Sequence, residues 1–94
     1  MVLHWKSNDF KNNDFNGFEG DQLVARVYEF VHGPSRGKWY WSVTADVKRR
    51  IPKSVEKPDE QGTAWSMRSA QKSAEDAYQQ FQKLFQDSQS AKAG

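Results

Sequence analysis

The chain has 94 residues, a formal net charge of +2 and no cysteine. A sequence of this length forms one domain with a modest core, and the missing cysteines exclude disulfides and thiolate metal sites. No apolar run approaches the roughly 20 residues that a membrane span needs. The N-terminal residues lack the apolar segment of a signal peptide, so we expect a cytoplasmic protein.

Residues 1–22 are predicted to be an irregular arm. An Asn-Asp-Phe triplet at 8–10 recurs at 13–15, and this five-residue spacing fits neither a strand face nor a helix face. Asn and Asp favour turns. The aspartates lack the D-x-D-x-D-G order of a calcium loop, so no metal site is predicted. The aromatic residues expected to pin the arm to the body are Trp5, Phe10, Phe15 and Phe18.

Residues 23–31 are rich in β-branched and aromatic side chains and are predicted to form a strand. The glycines and the proline at 32–37 predict a turn, so this strand should form an antiparallel hairpin with the next one. The expected core face is Leu23, Ala25, Val27 and Val31. The other face carries Val24, Arg26, Tyr28 and Phe30, and Arg26, Tyr28 and Phe30 are expected to lie on the outer face of the sheet.

Residues 38–47 alternate between polar and apolar side chains, as in a strand with one face on a core. Between residues 70 and 85, apolar side chains recur at helical spacing and predict an amphipathic helix. We therefore expect this helix to cover the apolar face of the strand. The predicted core is Trp39, Trp41, Val43, Ala45, Ala70, Ala74, Ala77, Phe81 and Leu84.

A polar connection at 48–62 precedes a short third strand, predicted at 62–67, and Ser66 or Ser69 should cap the helix. The predicted fold class is α+β: a three-stranded antiparallel sheet, with a fourth strand if the arm supplies one, packed on one C-terminal helix. The predicted domain organisation is the arm at 1–22, a β-β-β-α domain at 23–87 and a flexible tail at 88–94.

The sequence shows no pattern of a catalytic or cofactor site. The candidate imidazole bases are His4 and His32, and neither has a nucleophile or a carboxylate at an informative spacing. The glycines do not form a phosphate-binding loop. We therefore predict a binding protein without enzymatic activity, cofactor or metal.

Two binding surfaces are predicted, and the first is the outer face of the sheet. Interleaved aromatic and cationic side chains on a sheet can stack bases and neutralise phosphates. Cross-strand aromatic pairs also stabilise sheets, and the sequence favours this second interpretation of the same residues. The sequence leaves open whether the arm covers them. The residues are Arg26, Tyr28, Lys38 and Tyr40.

The second predicted surface is basic. Residues 36–57 carry seven Lys and Arg residues against two acids. Flexible cations can contact a nucleic-acid backbone, although a solvated loop has a similar composition. We call Lys48, Arg49, Arg50 and Lys53 the basic segment.

Residues 28–78 resemble part of the double-stranded-RNA-binding domain. The shared features are Tyr28-Glu29, the Gly33-Pro34 turn, the strand from Trp39, and the order Gly62-x-Ala64-x-Ser66-x-Arg68-x-Ala70 with Ala74. In that family a Gly-Pro turn joins two strands, and a Gly-x-Gly-x-Ser-Lys-Lys-x-Ala sequence opens the last helix. The resemblance implies RNA contact through Arg68, whereas Arg36 and Met67 replace the family's histidine and first lysine, and residues 1–22 have no counterpart of its first helix.

The Trp-Tyr-Trp-Ser-Val strand followed by Gly-Thr-Ala and an Ala/Glu-rich helix is also similar to small proteins of bacteria and mobile elements. We therefore expect a nucleic-acid or nucleoprotein accessory that uses the basic segment. The alternative is a protein-binding module, such as an assembly factor or an anti-CRISPR-like inhibitor, that acts through exposed aromatic residues. The sequence specifies neither the partner nor the oligomeric state.

Overall fold

The computed structural model describes residues 3–8, 13–52 and 54–93, with side chains as far as Asp87. In this part of the chain, five antiparallel strands lie in chain order in one sheet. The α+β class, with an antiparallel sheet packed on a C-terminal helix, confirms the prediction, although three or four strands were predicted and the described residues form five. The strands are β1 (His4–Ser7), β2 (Asp14–Glu19), β3 (Gln22–Glu29), β4 (Trp39–Val43) and β5 (Gln61–Ala64), and the helices are α1 (Ala45–Arg49) and α2 (Met67–Ala93).

The prediction of an irregular N-terminal arm was wrong where the arm is described, because it contributes β1 and β2. A two-residue turn joins β2 to β3, and its Gly20 adopts a φ of +61°, which glycine reaches without steric cost. Trp5 and Phe15 contact the body of the protein, as expected, whereas Phe10 lies outside the described residues.

A register shift in β3 changes which side chains reach the core. Gly17 pairs with Ala25 but Phe18 pairs with Leu23, so Val24 has no partner in β2. Because of this bulge Val24 is fully buried in the core, contrary to its predicted place on the opposite face, and Leu23 is 40% exposed. The core prediction is confirmed for Ala25 and Val27 and wrong for Leu23; it is also wrong for Val31, which follows the strand and is 47% exposed.

The strand predicted at 38–47 ends at Val43, and α1 begins at Ala45. Ala45 is therefore exposed, contrary to its predicted core position. Val47 is buried, as its place in the pattern suggested, but it reaches the core from α1 rather than from a strand. The connection after α1 also packs inward, since Ile51 is only 4% exposed.

Helix α2 covers the inner face of the sheet through its contacts with β3, β4 and β5. The Ser66 hydroxyl accepts a 3.1 Å hydrogen bond from the Ser69 N–H, which confirms Ser66 as its cap. The helix is longer than predicted and continues through the expected tail to Ala93. No described helix has the length and apolar character needed to cross a membrane.

The core lies between α2 and the inner face of the sheet. The prediction is confirmed for Trp41, Val43, Ala70, Ala74, Ala77 and Phe81, whereas Trp39 and Leu84 are half-buried at its edge. Gly62 lies under the Trp41 indole, where a Cβ atom would come within 2.9 Å of the ring nitrogen. Further buried residues are Leu3, Val24, Ala25, Val27, Val47, Ile51 and Tyr78.

Candidate binding surface on the outer face of the sheet

The outer face of the sheet has no helix packed against it within the described residues. Helix α2 lies on the inner face, and α1 contacts α2. The arm extends the sheet at its edge rather than folding over it. We call the following six residues the aromatic face: Arg26, Tyr28, Phe30, Lys38, Tyr40 and Trp65.

Three rings form a cluster on this face. Tyr28 pairs with Tyr40 across β3 and β4, and their ring centroids lie 5.0 Å apart. Phe30 meets both tyrosines edge-on, at 5.7 Å from Tyr28 and 6.2 Å from Tyr40. Such geometries stabilise aromatic pairs, which agrees with the cross-strand role predicted for them. All three rings are nevertheless only partly buried, so their outer surfaces are available to a ligand.

Trp65 adds a fourth ring beside this cluster. It follows β5 directly and is 82% exposed, the largest exposed fraction among the exposed large apolar side chains described. The Lys38 ammonium lies 5.0 Å from the centre of its indole ring, a cation–π distance. Lys38 and Trp65 thus place a positive charge and an exposed aromatic surface side by side.

Arg26 is held in place by an acidic partner. Its guanidinium makes two hydrogen bonds to the Asp14 carboxylate, at 3.2 and 2.7 Å, and lies 5.0 Å from the centre of the Tyr28 ring. The hydrogen bond from Arg26 lowers the pKa of Asp14, and a further bond from Asn8 acts in the same direction. The same hydrogen bond raises the pKa of Arg26.

The outer face carries more positive than negative charge. Strand alternation and pairing place three cations on the outer face: Lys6, Arg26 and Lys38. Among the acids of the described strands, one lies on this face, Asp14. Lys6 lies 5.4 Å from the centre of the Phe18 ring, which extends the mixture of cations and rings towards β1.

The cations of the basic segment have acidic or buried neighbours. Lys48 lies 3.4 Å from Glu60, and Arg49 lies 3.2 Å from Asp46. Burial raises the pKa of the Tyr78 hydroxyl, and a hydrogen bond from Arg50 opposes this rise. The fourth residue, Lys53, lies outside the described residues.

The two predicted surfaces lie at opposite ends of β4. Lys38 precedes this strand, whereas the basic segment begins in α1, which follows it. Arg68 is exposed in the first turn of α2, near the end of the sheet that carries Trp65. The structure thus brings Arg26, Tyr28, Lys38 and Tyr40 onto one surface, and it separates Arg68 from the basic segment.

Sequence reasoning missed Trp65 as a surface residue, because the third strand was predicted to continue to residue 67. It also missed Gln61, whose side-chain oxygen accepts a 2.7 Å hydrogen bond from the Tyr40 hydroxyl. A signal for Trp65 was present: the Ser-x-x-Ser order at 66–69 marks a helix cap, so the strand had to end before it.

The described residues contain no group of three or more His, Cys, Asp or Glu side chains able to hold a metal ion. Comparisons with protein-family models, with curated proteins and with solved structures find no match for this chain. The resemblance to the double-stranded-RNA-binding domain therefore stays a prediction.

Proposed function

We propose that this protein is a small binding module, not an enzyme, and that its aromatic face binds single-stranded nucleic acid. The observation that carries the proposal is the combination of Trp65, which is 82% exposed, with a neighbouring lysine and a three-ring cluster on an uncovered sheet face. Exposed rings stack on unpaired bases of any sequence, and adjacent cations neutralise the phosphates between those bases.

The charge distribution supports a nucleic-acid ligand at this face. On the aromatic face Arg26 is paired with Asp14, but Lys38 has no acid within ion-pair distance in the described structure. In the basic segment, Lys48 and Arg49 each have one. A cation that is not neutralised by its own protein contributes most to phosphate binding. The aromatic face is therefore a better candidate than the basic segment that the sequence indicated.

A protein partner is the second candidate function, favoured by the residue types themselves. Trp, Tyr and Arg dominate the binding energy of many protein interfaces, and all three occur on the aromatic face. Binding of that kind depends on shape and desolvation more than on phosphate charge, so it responds weakly to salt.

The test is the affinity of the Trp65→Ala variant for labelled single-stranded DNA and RNA of about ten nucleotides, measured by fluorescence anisotropy. We expect wild-type protein to bind at about 50 mM salt, and the variant to bind about tenfold more weakly, because loss of one stacked base costs about 1–3 kcal/mol. Thermal unfolding should change little, since the indole is 82% exposed.

The matched control is Leu23→Ala, which shortens another exposed apolar side chain of the outer face, at the opposite end of β3. Its affinity should equal that of wild type. If wild-type protein binds neither DNA nor RNA at about 50 mM salt, where electrostatic binding is strong, the nucleic-acid proposal fails and the protein-partner candidate remains.

A further inference from the structure

The side chains of the aromatic face follow a fixed order along β4. Lys38, Tyr40 and Ser42 alternate onto the same side of β4 and its entry, at about 7 Å for each two residues. Gln61 pairs with Ser42 and so lies at the far end of this row from Lys38. If Lys38 contacts a phosphate and the attached base stacks on Tyr40, the edge of the base farthest from the sugar points towards Gln61.

The Gln61 amide is oriented by its neighbour. The Tyr40 hydroxyl donates a 2.7 Å hydrogen bond to the Gln61 Oε1 atom. Partial burial raises the pKa of Tyr40, with contributions from Tyr28 and Glu60, so the hydroxyl keeps its proton at neutral pH. This bond occupies one of the two lone pairs of Oε1 and holds that oxygen at the Tyr40 hydroxyl, which leaves the two N–H donors of the amide facing a ligand.

We propose that Gln61, oriented by Tyr40, is a specificity residue that selects bases with an exocyclic carbonyl over bases with an exocyclic amine. Uracil, thymine and guanine present a carbonyl oxygen, which accepts from the amide N–H groups. Cytosine and adenine present an amine at the corresponding position, where an N–H group of the base would face an N–H group of the amide and no hydrogen bond would form. A glutamine whose oxygen is not held by a neighbouring hydroxyl could instead turn that oxygen towards such an amine and accept from it, as it does when it pairs with adenine.

This inference rests on the proposed function and deepens it. The test compares oligo(deoxyuridine) with oligo(deoxycytidine), each of about ten nucleotides, because these pyrimidines differ at the exocyclic 4-position. We expect wild-type protein to prefer oligo(deoxyuridine) by about fivefold, which corresponds to the lower end of the discrimination given by bidentate side-chain contacts to bases.

The informative variant is Tyr40→Phe, which keeps a ring for stacking but frees the Gln61 oxygen. We expect its affinities for the two oligonucleotides to become nearly equal. The matched control, Tyr28→Phe, removes a hydroxyl from the neighbouring ring and leaves the bond between Tyr40 and Gln61 intact, so it should keep the wild-type preference. Gln61→Leu removes the amide itself and should abolish the preference.

The outcomes separate the two proposals. If wild-type protein binds both oligonucleotides equally, or if Tyr40→Phe keeps the wild-type preference, the role of Gln61 is refuted and the aromatic face stands as a binding site. If wild-type protein binds neither oligonucleotide at about 50 mM salt, both proposals fall together. Thermal unfolding of each variant verifies that it is folded in the assay.

Discussion

Arg26 shows how a single ion pair shapes the aromatic face. Asn8, which follows β1, donates a hydrogen bond to Asp14, and Asn16 in β2 donates one to Asn8. The carboxylate that holds Arg26 is thus itself held by its neighbours. The guanidinium is thereby kept beside the Tyr28 ring. An arginine fixed in this way adds a planar cation to the ring cluster at little further cost in side-chain entropy.

This ion pair predicts a dependence of stability on pH. The pKa of Asp14 is lowered from its usual value of 3.8, first by the hydrogen bond from Arg26. A carboxyl whose pKa is lower in the folded state contributes stability above its unfolded pKa and loses that contribution as the pH falls through its folded pKa. Asp14→Asn should therefore be less stable than wild type by up to about 1 kcal/mol at pH 6, and this difference should shrink as the pH falls below 3.8 and through the lowered pKa of the folded state.

The measurement is urea unfolding of both proteins across this pH range, with Asp46→Asn as the control. Asp46 pairs with Arg49 through side chains that are 72% and 77% exposed, so its removal should change stability little at any pH. A difference between wild type and Asp14→Asn that persists undiminished at the lowest pH would contradict the role given to Asp14.

At the scale of elements, β1 depends on a contact from the other end of the chain. It is an edge strand of four residues and pairs only with β2. The Glu75 Oε2 atom in α2 accepts hydrogen bonds from the Leu3 N–H, at 2.8 Å, and from the Trp5 indole N–H, at 3.0 Å. Glu75 therefore ties the start of the sheet to the helix that covers it.

We predict that Glu75→Ala lowers the free energy of unfolding by about 2 kcal/mol, because hydrogen bonds to a charged group contribute about 1.5–3 kcal/mol. Hydrogen exchange should become faster in β1, while amides in β3 and β4 stay protected. Asp76→Ala is the control, since that neighbouring carboxylate is exposed. Uniform loss of protection over all strands would show instead that β1 and the rest of the sheet unfold as one unit.

At the scale of the whole molecule, the distribution of charge decides where an anionic ligand binds. The net charge of +2 includes a basic stretch at 36–57, yet folding brings Glu60 to Lys48 and leaves Lys38 beside Trp65. Linear charge density is therefore a poor guide here, because the acid that pairs with Lys48 lies twelve residues further along the chain.

Lys38→Gln and Lys48→Gln change the net charge by the same amount at the two ends of β4. Each phosphate contact to a single strand contributes about 0.7 to the slope of log affinity against log salt. We expect Lys38→Gln to reduce the slope by about 0.7 and Lys48→Gln to leave it unchanged, as measured by anisotropy over a salt series. The reverse result would assign the nucleic acid to the basic segment.

The sequence by itself determined the elements whose periodicity is strong and local. Alternation in 38–47 located β4, although this strand ends at Val43, and helical spacing in 70–85 located α2. Together they gave most of the core, because each pattern reports which side chains leave water. The same alternation placed Arg26, Tyr28, Lys38 and Tyr40 on one face of the sheet.

Tertiary structure decided the features that depend on distant parts of the chain. The arm forms strands because β2 pairs with β3 and because α2 makes hydrogen bonds to the start of the chain at β1. The turn-forming residues of the arm do not by themselves reveal such partners. The bulge at Val24 depends on the register between two strands, and it exposes Leu23. Whether a cation is free or neutralised, as for Lys38 and Lys48, depends on which acid the fold brings near, since electrostatic energy follows distance in space and not separation along the chain.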